Sequence, residues 1–291
     1  MIATFYKVPT DMPLDLVSGA WFAHGLRRLS SSYMGKILRV RRDSDNAEQD
    51  IGYTLENSLD IMNIRTFIGT ANAYVVRLYD QTGNGHDAAQ TTATNQPKLS
   101  LVEANGLPAL ILTKANAISL QVTLTGSKPT SFSVLCSYQT SNVNLNSQAA
   151  CGSAITGANV SMWGLVLQTY FGGNVQNGMI ETTIGDSTLT SSIVSNTPQN
   201  VMSNSVYETV SVRYQNGNTS PSIHVGGIKQ TLTQVGSGSS IGGSTGNYYI
   251  GKGYPGTELD GKILESMVYS SYVSDANMTK IENNIRAYYG I

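Results

Sequence analysis

The stretch RLYDQTGNGHDAAQ, Arg77 to Gln90, sets a histidine and two aspartates around two glycines. His86 next to Asp87 is the pairing a general base uses, with the carboxylate orienting the imidazole. The stretch offers that base no serine or cysteine to activate, and the chain has no G-x-x-x-x-G-K-[ST] phosphate loop. Gly83 and Gly85 permit positive φ, and Asp80, Asn84 and Asp87 can accept or donate bonds to the turn's own backbone. A pinned corner is the expectation, with Arg77, Asp80, Asn84 and His86 as parts of a structural polar network.

A second chemistry-bearing tract is RVRRDSDNAEQD, where Arg39, Arg41 and Arg42 meet Asp43, Asp45, Glu48 and Asp50. Oxygen ligands at Asp43, Asp45 and Asp50 suggest a weak Ca²⁺ alternative. An EF-hand is excluded, because its sixth-place glycine and twelfth-place glutamate are missing. Three arginines offset the field a divalent cation needs, so Arg39, Arg41, Arg42, Asp45 and Asp50 are expected to form ion pairs, and no metal or other cofactor is favoured. His24, His86 and His224 are scattered, and no Cys/His cluster has zinc spacing.

Aromatic side chains raise a third possibility. The chain has 16 Tyr against 5 Phe. Sugars stack their CH faces on aromatic rings while amides take the hydroxyls. Tyr254, Tyr248, Tyr249, Trp163 and Tyr170 are the candidate platforms, with Asn174 and Asn247 as candidate amides. Tyr254 stands out, since a ring inside GKGYPG is hard to bury.

These residues need a scaffold. The chain is 291 residues long, 40 % hydrophobic, only 13 % charged, with net charge -1. Such neutrality gives no bulk attraction to nucleic acid. No stretch nears the length of apolar residues needed to cross a membrane, so no membrane insertion is expected. MIATFYKVPTDMPLDL lacks a long apolar core and a cleavage pattern, so no signal peptide is expected. Cys136 and Cys151 cannot build a disulfide framework and are expected as free thiols.

Charge crowds into Arg27–Asp60 and vanishes between Pro129 and Ile180. The spacing predicts helices over Leu14–Leu29 and Ser58–Gly69, and a third in SDANMTKIENNIRAYYG capped by Ser274. Between them run short strands: AYVVRLYD, PALILT, ISLQVTL, SFSVLCSYQ, SMWGLVLQTYF, GMIETTIG, YETVSVRY, YYIGKGY and GKILESMVYSS. VGSGSSIGGSTG reads as a surface loop. Many short strands without βα alternation predict an all-β sandwich. One domain over 1–291 is expected, with 1–70 a partly helical portion packed on it.

LRRLSSSYMGKILRVRRDSDNAEQDIGY, VVRLYDQTGNGHDAAQTTATNQPKL and LDGKILESMVYSSYVSDANMTKIENNIRAYYG resemble laminin-G-like, or concanavalin-A-like, jelly-roll domains of phage structural proteins and bacterial surface proteins. The same pattern is similar to the catalytic domain of family-54 α-L-arabinofuranosidases, in which YDQSGNGN would correspond to Tyr79–His86 and ALYSSYxGPLYxVxR to Leu29–Arg41. The arabinofuranosidase resemblance implies a retaining glycosidase with two carboxylates about 5 to 5.5 Å apart. It puts the nucleophile at Gln176 and Asn177 of FGGNVQNGMIETTIG, amides that cannot attack, with Glu181 beyond them. It puts the second carboxylate in YIGKGYPGTELDG, where Glu258 and Asp260 stand.

Composition and the phage resemblance together lead to the expectation of a non-enzymatic virion protein: capsid decoration, head fibre or tail component. Its partners would be copies of itself or other virion proteins, and surface glycans. The alternatives are a glycoside hydrolase using Glu181 with Asp260, and a bacterial cell-surface lectin-like module.

Overall fold

The computed structural model describes residues 10–125, 129–143, 148–154, 161–171, 174–184, 193–234, 247–253 and 256–291. The elements in chain order are α1 (Pro13–Leu16), β1 (Ala20–Gly25), β2 (Leu38–Arg42), β3 (Glu48–Ile51), α2 (Ile61–Ile68), β4 (Ala73–Leu78), β5 (Ala88–Ala89), β6 (Lys98–Ala104), β7 (Leu107–Leu112) and β8 (Leu120–Val122). They continue as β9 (Phe132–Thr140), β10 (Gln148–Ala154), β11 (Ser161–Phe171), β12 (Asn174–Ile184), β13 (Ile193–Asn196), β14 (Glu208–Tyr214), β15 (Ser222–Val225), β16 (Ile228–Lys229), β17 (Thr233–Gln234), β18 (Asn247–Ile250), β19 (Gly261–Tyr269) and α3 (Asp275–Tyr289). Single 3-10 turns occupy Ala93–Asn95 and Lys114–Asn116.

The fold is all-β, a curled antiparallel jelly roll with short flanking helices, as the strand pattern predicts. One run of neighbours is β1, β19, β9, β14, β15 and β16. A second run is β5, β8, β18, β10, β11, β12, β13 and β17. A third, β3, β2, β4, β6 and β7, joins the first through β7 and β19 and the second through β4 and β5. Phe22, Val75, Val122, Phe132, Val134, Ile180 and Ile250 bury their side chains in the common core.

β9 shows why a serine-containing strand can be wholly buried. Phe132, Val134, Cys136 and Tyr138 enter the main core, while Leu135 joins a second cluster under α1 and α3. Both faces being covered, a hydroxyl needs an internal partner. Ser133 Oγ donates to Ser271 O at 2.9 Å and accepts from Val273 N at 2.8 Å. Cys136 and Cys151 are free and buried, and burial beside Cys151 pushes the Cys136 thiol well up.

Helix α3 forms where its caps dictate. Ser274 Oγ accepts from Asn277 N, and Gly290 takes the left-handed conformation at φ 66° that ends a helix. Met278, Ile281, Ile285 and Tyr288 make its buried stripe. Two predicted helices differ. Only Pro13–Leu16 of the first is helical, because Ala20–Gly25 is drawn into pairing with β19 and Gly19 bends the chain at φ 86°. Strand pairing overrides a weak helical pattern there. In the second, Asp60 rather than Ser58 caps, accepting from Asn63 N at 3.0 Å, since Ser58 is engaged in a bridge with Arg27. A register shift between Ile263 and Glu265 moves Ile263 into the main core with Val268, whereas Leu264, Met267 and Tyr269 face the helices.

The segments 1–9 and VGSGSSIGGSTG (235–246), and Tyr254, lie outside the described residues. No helix among the described residues is long and apolar enough to cross a membrane.

Candidate functional site

The corner after β4 is a closed polar knot. Asp80 is buried, and its carboxylate accepts from Ala23 N at 3.0 Å, Thr82 N at 3.1 Å, Thr82 Oγ1 at 2.8 Å and His86 N at 3.1 Å. Asp87 accepts from Asp80 N at 2.9 Å and from Arg77 Nη1 at 3.1 Å. Asn84 Nδ2 donates to Trp21 O at 2.9 Å. His24 Nε2 bonds the carbonyl of His86 at 2.8 Å, and burial holds the His24 imidazole below its ordinary 6.5 despite Asp80 and Asp87. Gly83 and Gly85 adopt φ 84° and 80°. The two carboxylates that looked catalytic in the sequence are thus engaged in pinning the corner, and the His86 ring packs edge-on against Trp21 and Phe22.

In the arginine tract Arg39 and Arg42 form ion pairs, whereas Arg41, expected to do the same, hydrogen-bonds Gln96, Asn46 and Ala93 O instead. Arg39 grips Asp50 through two bonds of 2.7 and 2.9 Å, and Tyr79 OH donates to the same carboxylate at 2.7 Å. Arg39, with help from Tyr79, holds the Asp50 carboxyl down at about 2. Arg42 grips Asp45 at 2.7 Å, holding it at about 2 as well. Asp43 instead accepts from Asn72. The three aspartates of the calcium alternative are therefore committed to different donors, and no group of three metal-ligating side chains occurs among the described residues. This corrects that alternative: the strands turn the carboxylates toward their own arginine or amide partners.

The other carboxylates converge on the outward face of the second strand run. Register places Glu258 beside Ala149, Ala149 beside Val166, Val166 beside Glu181, and Glu181 beside Asn196. Paired residues in a sheet share a face, so Glu258 and Glu181 project from one row on one side. Ile180 points into the core, which sends Glu181 outward. Both glutamates are nonetheless largely covered, at 8 % and 7 % exposure for Glu181 and Glu258. With its amide oriented to satisfy its neighbours, Asn196 donates to Glu181 Oε2 at 3.2 Å. Gly256 N donates to Glu258 Oε1 at 3.3 Å.

Lysines flank this row. Lys252 Nζ lies 4.3 Å from the ring centre of half-buried Tyr249. Burial pulls the Lys252 ammonium down, against the upward pull of Glu258, which places that carboxylate nearby. Lys114 is likewise lowered by burial and pulled up by Glu258 and Asp260. Asp260 sits at the mouth of β19, its N–H donating to Gln148 Oε1 at 2.9 Å and its carbonyl accepting from Ser141 N at 2.8 Å. Glu258 rather than Asp260 thus occupies the row of Glu181, a register that sequence spacing alone does not reveal.

Among the aromatic candidates, Tyr249 and Asn247 lie two residues apart on β18, on the face opposite Tyr248 and Ile250. Tyr248 is a correction. It is fully buried, 5.0 Å edge-to-face from Phe22, with its hydroxyl 3.3 Å from Ser266 Oγ, so it cannot stack on a sugar. Strand alternation puts one of two adjacent tyrosines inside. The side chains of Trp163, Tyr170, Asn174, Gln176 and Asn177 lie outside the described residues.

The model of the α-L-arabinofuranosidase B catalytic-domain family matches residues 20–178. The chain belongs to that family. Its fold is similar to an arabinofuranosidase solved in complex with arabinofuranosyl-α-1,2-xylobiose, with 17 % identity, a TM-score of 0.65, and coverage of 95 % of this chain and 65 % of that one. A family-54 α-L-arabinofuranosidase soaked with a cyclic sulfate inhibitor gives 17 % identity and a TM-score of 0.63 over the same shares. The binding domain of Paraclostridial Mosquitocidal Protein 1 is more distant, at 10 % identity and TM-score 0.53 over 72 % of this chain and 49 % of that one. The chain spans 65 % of the length of the arabinofuranosidases it matches. No curated protein matches it.

These findings overturn the virion reading. A catalytic-domain family is matched over residues 20–178, and the fold is similar to that of solved arabinofuranosidases. The expectations of a non-enzyme, of virion partners and of a virion location fall with it. Polar, neutral composition is shared by virion sheets and carbohydrate-active sheets alike, so it could not separate them.

Proposed function

We propose that the chain is a glycoside hydrolase domain acting on α-L-arabinofuranosides, with its site on the outward face around Glu181, Glu258 and Tyr249. The single observation that carries this is the common row of Glu181 and Glu258 in a fold of the arabinofuranosidase family. Three strand spacings of about 4.8 Å separate their backbones by about 14 Å, less on a curled sheet. Glutamate side chains leaning toward each other from that spacing can approach the separation of about 5 to 5.5 Å that a retaining glycosidase of this family needs.

In that arrangement one carboxylic acid donates its proton to the leaving oxygen as the C–O bond breaks. The other attacks the anomeric carbon and forms a glycosyl ester, which water then hydrolyses as the first carboxylate takes the water's proton. With amides at positions 176 and 177, Glu181 and Glu258 fill these two roles. Tyr249 offers a face to the furanose ring, Asn247 an amide to its hydroxyls, and Lys252 a positive edge. The whole protein's substrates extend to arabinofuranosyl side chains on xylo-oligosaccharides, of the kind bound by a similar arabinofuranosidase, met outside the cell.

The test is release of 4-nitrophenol from 4-nitrophenyl α-L-arabinofuranoside between pH 4 and 7. Proton NMR of the first-formed sugar reads the anomer, and retention is expected. Glu181→Gln and Glu258→Gln should each abolish turnover, and azide should restore it in whichever variant lacks the base. Binding of the glycoside by folded protein without turnover would overturn the hydrolytic reading.

A further inference from the structure

We propose a second carbohydrate site, distinct from the glutamate row, that recognises the carboxylate of a uronic acid unit in an acidic oligosaccharide. The observation is Arg41. Three arginines are buried, at 3 %, 9 % and 0 % exposure for Arg27, Arg41 and Arg213. Arg27 is paired with Glu265, and Arg213 with Asp275. Arg41 hydrogen-bonds only neutral partners among the described residues: Gln96 Oε1 at 2.8 Å, Asn46 Oδ1 at 2.9 Å and Ala93 O at 3.3 Å. Asp43 attracts it through space, but its carboxylate is bonded to Asn72. Burying a cation is costly unless it is both paired and hydrogen-bonded to an anion.

Arg41 lines an open cavity of about 860 Å³, roomy enough for an oligosaccharide. Its guanidinium lies 5.0 Å from the Tyr74 ring centre, which fixes the plane of its fork. Three of its five N–H groups are used, leaving two to donate to an anion in the cavity. Lys98 adds a second positive charge to the wall and Asp43 one negative charge, whose oxygens are taken by Asn72. The net single positive charge suits a singly charged uronate better than a phosphate. Asn95 and Asn116 supply amides for sugar hydroxyls.

The 3-10 turn Lys114–Asn116 is the party wall. Asn116 faces this cavity, while Lys114 is drawn toward Glu258 and Asp260. A chain bound here would run past the glutamate row without depending on hydrolysis there.

Calorimetry on the whole chain should show trigalacturonate binding saturably, at least tenfold tighter than galactotriose, its neutral counterpart. Arg41→Gln should cost tenfold or more. Because that change disturbs a buried network, Thr94→Trp at the exposed rim provides a second variant that blocks the cavity without touching the arginine, and it should also abolish binding. Neither variant should alter turnover of the small aryl arabinofuranoside, so failure here and failure of the hydrolytic reading are separable. Equal affinity for the neutral trisaccharide, unchanged affinity in Thr94→Trp, no saturable binding, or tighter binding of inorganic phosphate would each overturn the proposal.

Discussion

Asp80 and Glu258 are both buried acids in turns between strands, yet their surroundings differ. The Asp80 carboxylate accepts from four separate donors, three of them backbone N–H groups. Among the described residues Glu258 accepts one bond, from Gly256 N, and has two lysines within electrostatic reach. A carboxylate whose lone pairs are filled by its own fold has no capacity left for a substrate. One that is desolvated but sparsely bonded keeps that capacity. The corner that looked most like chemistry in the sequence is therefore bound up in its own fold, whereas the proposed site lies in the sparsely charged middle of the sheet.

The comparison is sharpest in activity. Glu258→Gln should lower kcat by about 10²–10⁴ if this carboxylate transfers a proton, with the melting temperature little changed. The same exchange at Asp80, Asp80→Asn, should leave kcat per folded molecule intact. It sets an amide NH₂ against backbone donors and should cost roughly 1–3 kcal/mol of stability, read by urea titration. A reversal, with Asp80→Asn inactive but stable, would break the distinction.

Between these lies the buried pair of Arg27 and Glu265, in which Arg27 also donates to Asn284 Oδ1 at 2.9 Å. Arg27→Met strands Glu265 beneath α3 and should cost about 3–5 kcal/mol. The exposed pair gives the smallest effect. Asp50→Asn at the half-exposed Arg39–Asp50 contact should change stability by about 0–1 kcal/mol.

Acid titration probes the same contrast. The folded carboxyl of Asp50 lies at about 2, below its ordinary 3.8, so its contribution is complete above pH 4 and is lost as pH falls toward 2. His24 acts earlier. Its folded value is depressed, so below about pH 6.5 the unfolded chain takes up a proton that the folded chain refuses, and stability falls with pH. Replacement of His24 by Gln should flatten the pH 5–7 part of a stability curve and leave the pH 2–4 part unchanged.

Much of the fold was legible locally. The strand runs, the cap at Ser274, the stop at Gly290 and the turn glycines at 83 and 85 each follow from short-range geometry. The ion pairs Arg39–Asp50 and Arg42–Asp45 could be read because partners sit across a hairpin or three residues apart. What stayed hidden was whatever depended on distant register. Tyr248 and Tyr249 look equivalent until β8 and β10 fix which face is inside. Glu258 and Asp260 differ by one step along a face, and only the bridge to Ala149 selects between them. Arg41 looks like its neighbours Arg39 and Arg42 until the turn Ala93–Asn95 closes over it.

The sequence by itself determined an all-β chain, its turn chemistry and its charge distribution, because backbone propensity and alternation act over a few residues. The tertiary structure decided which acids are spent on the fold and which share a row on the outward face, because that depends on strands far apart in the chain lying side by side.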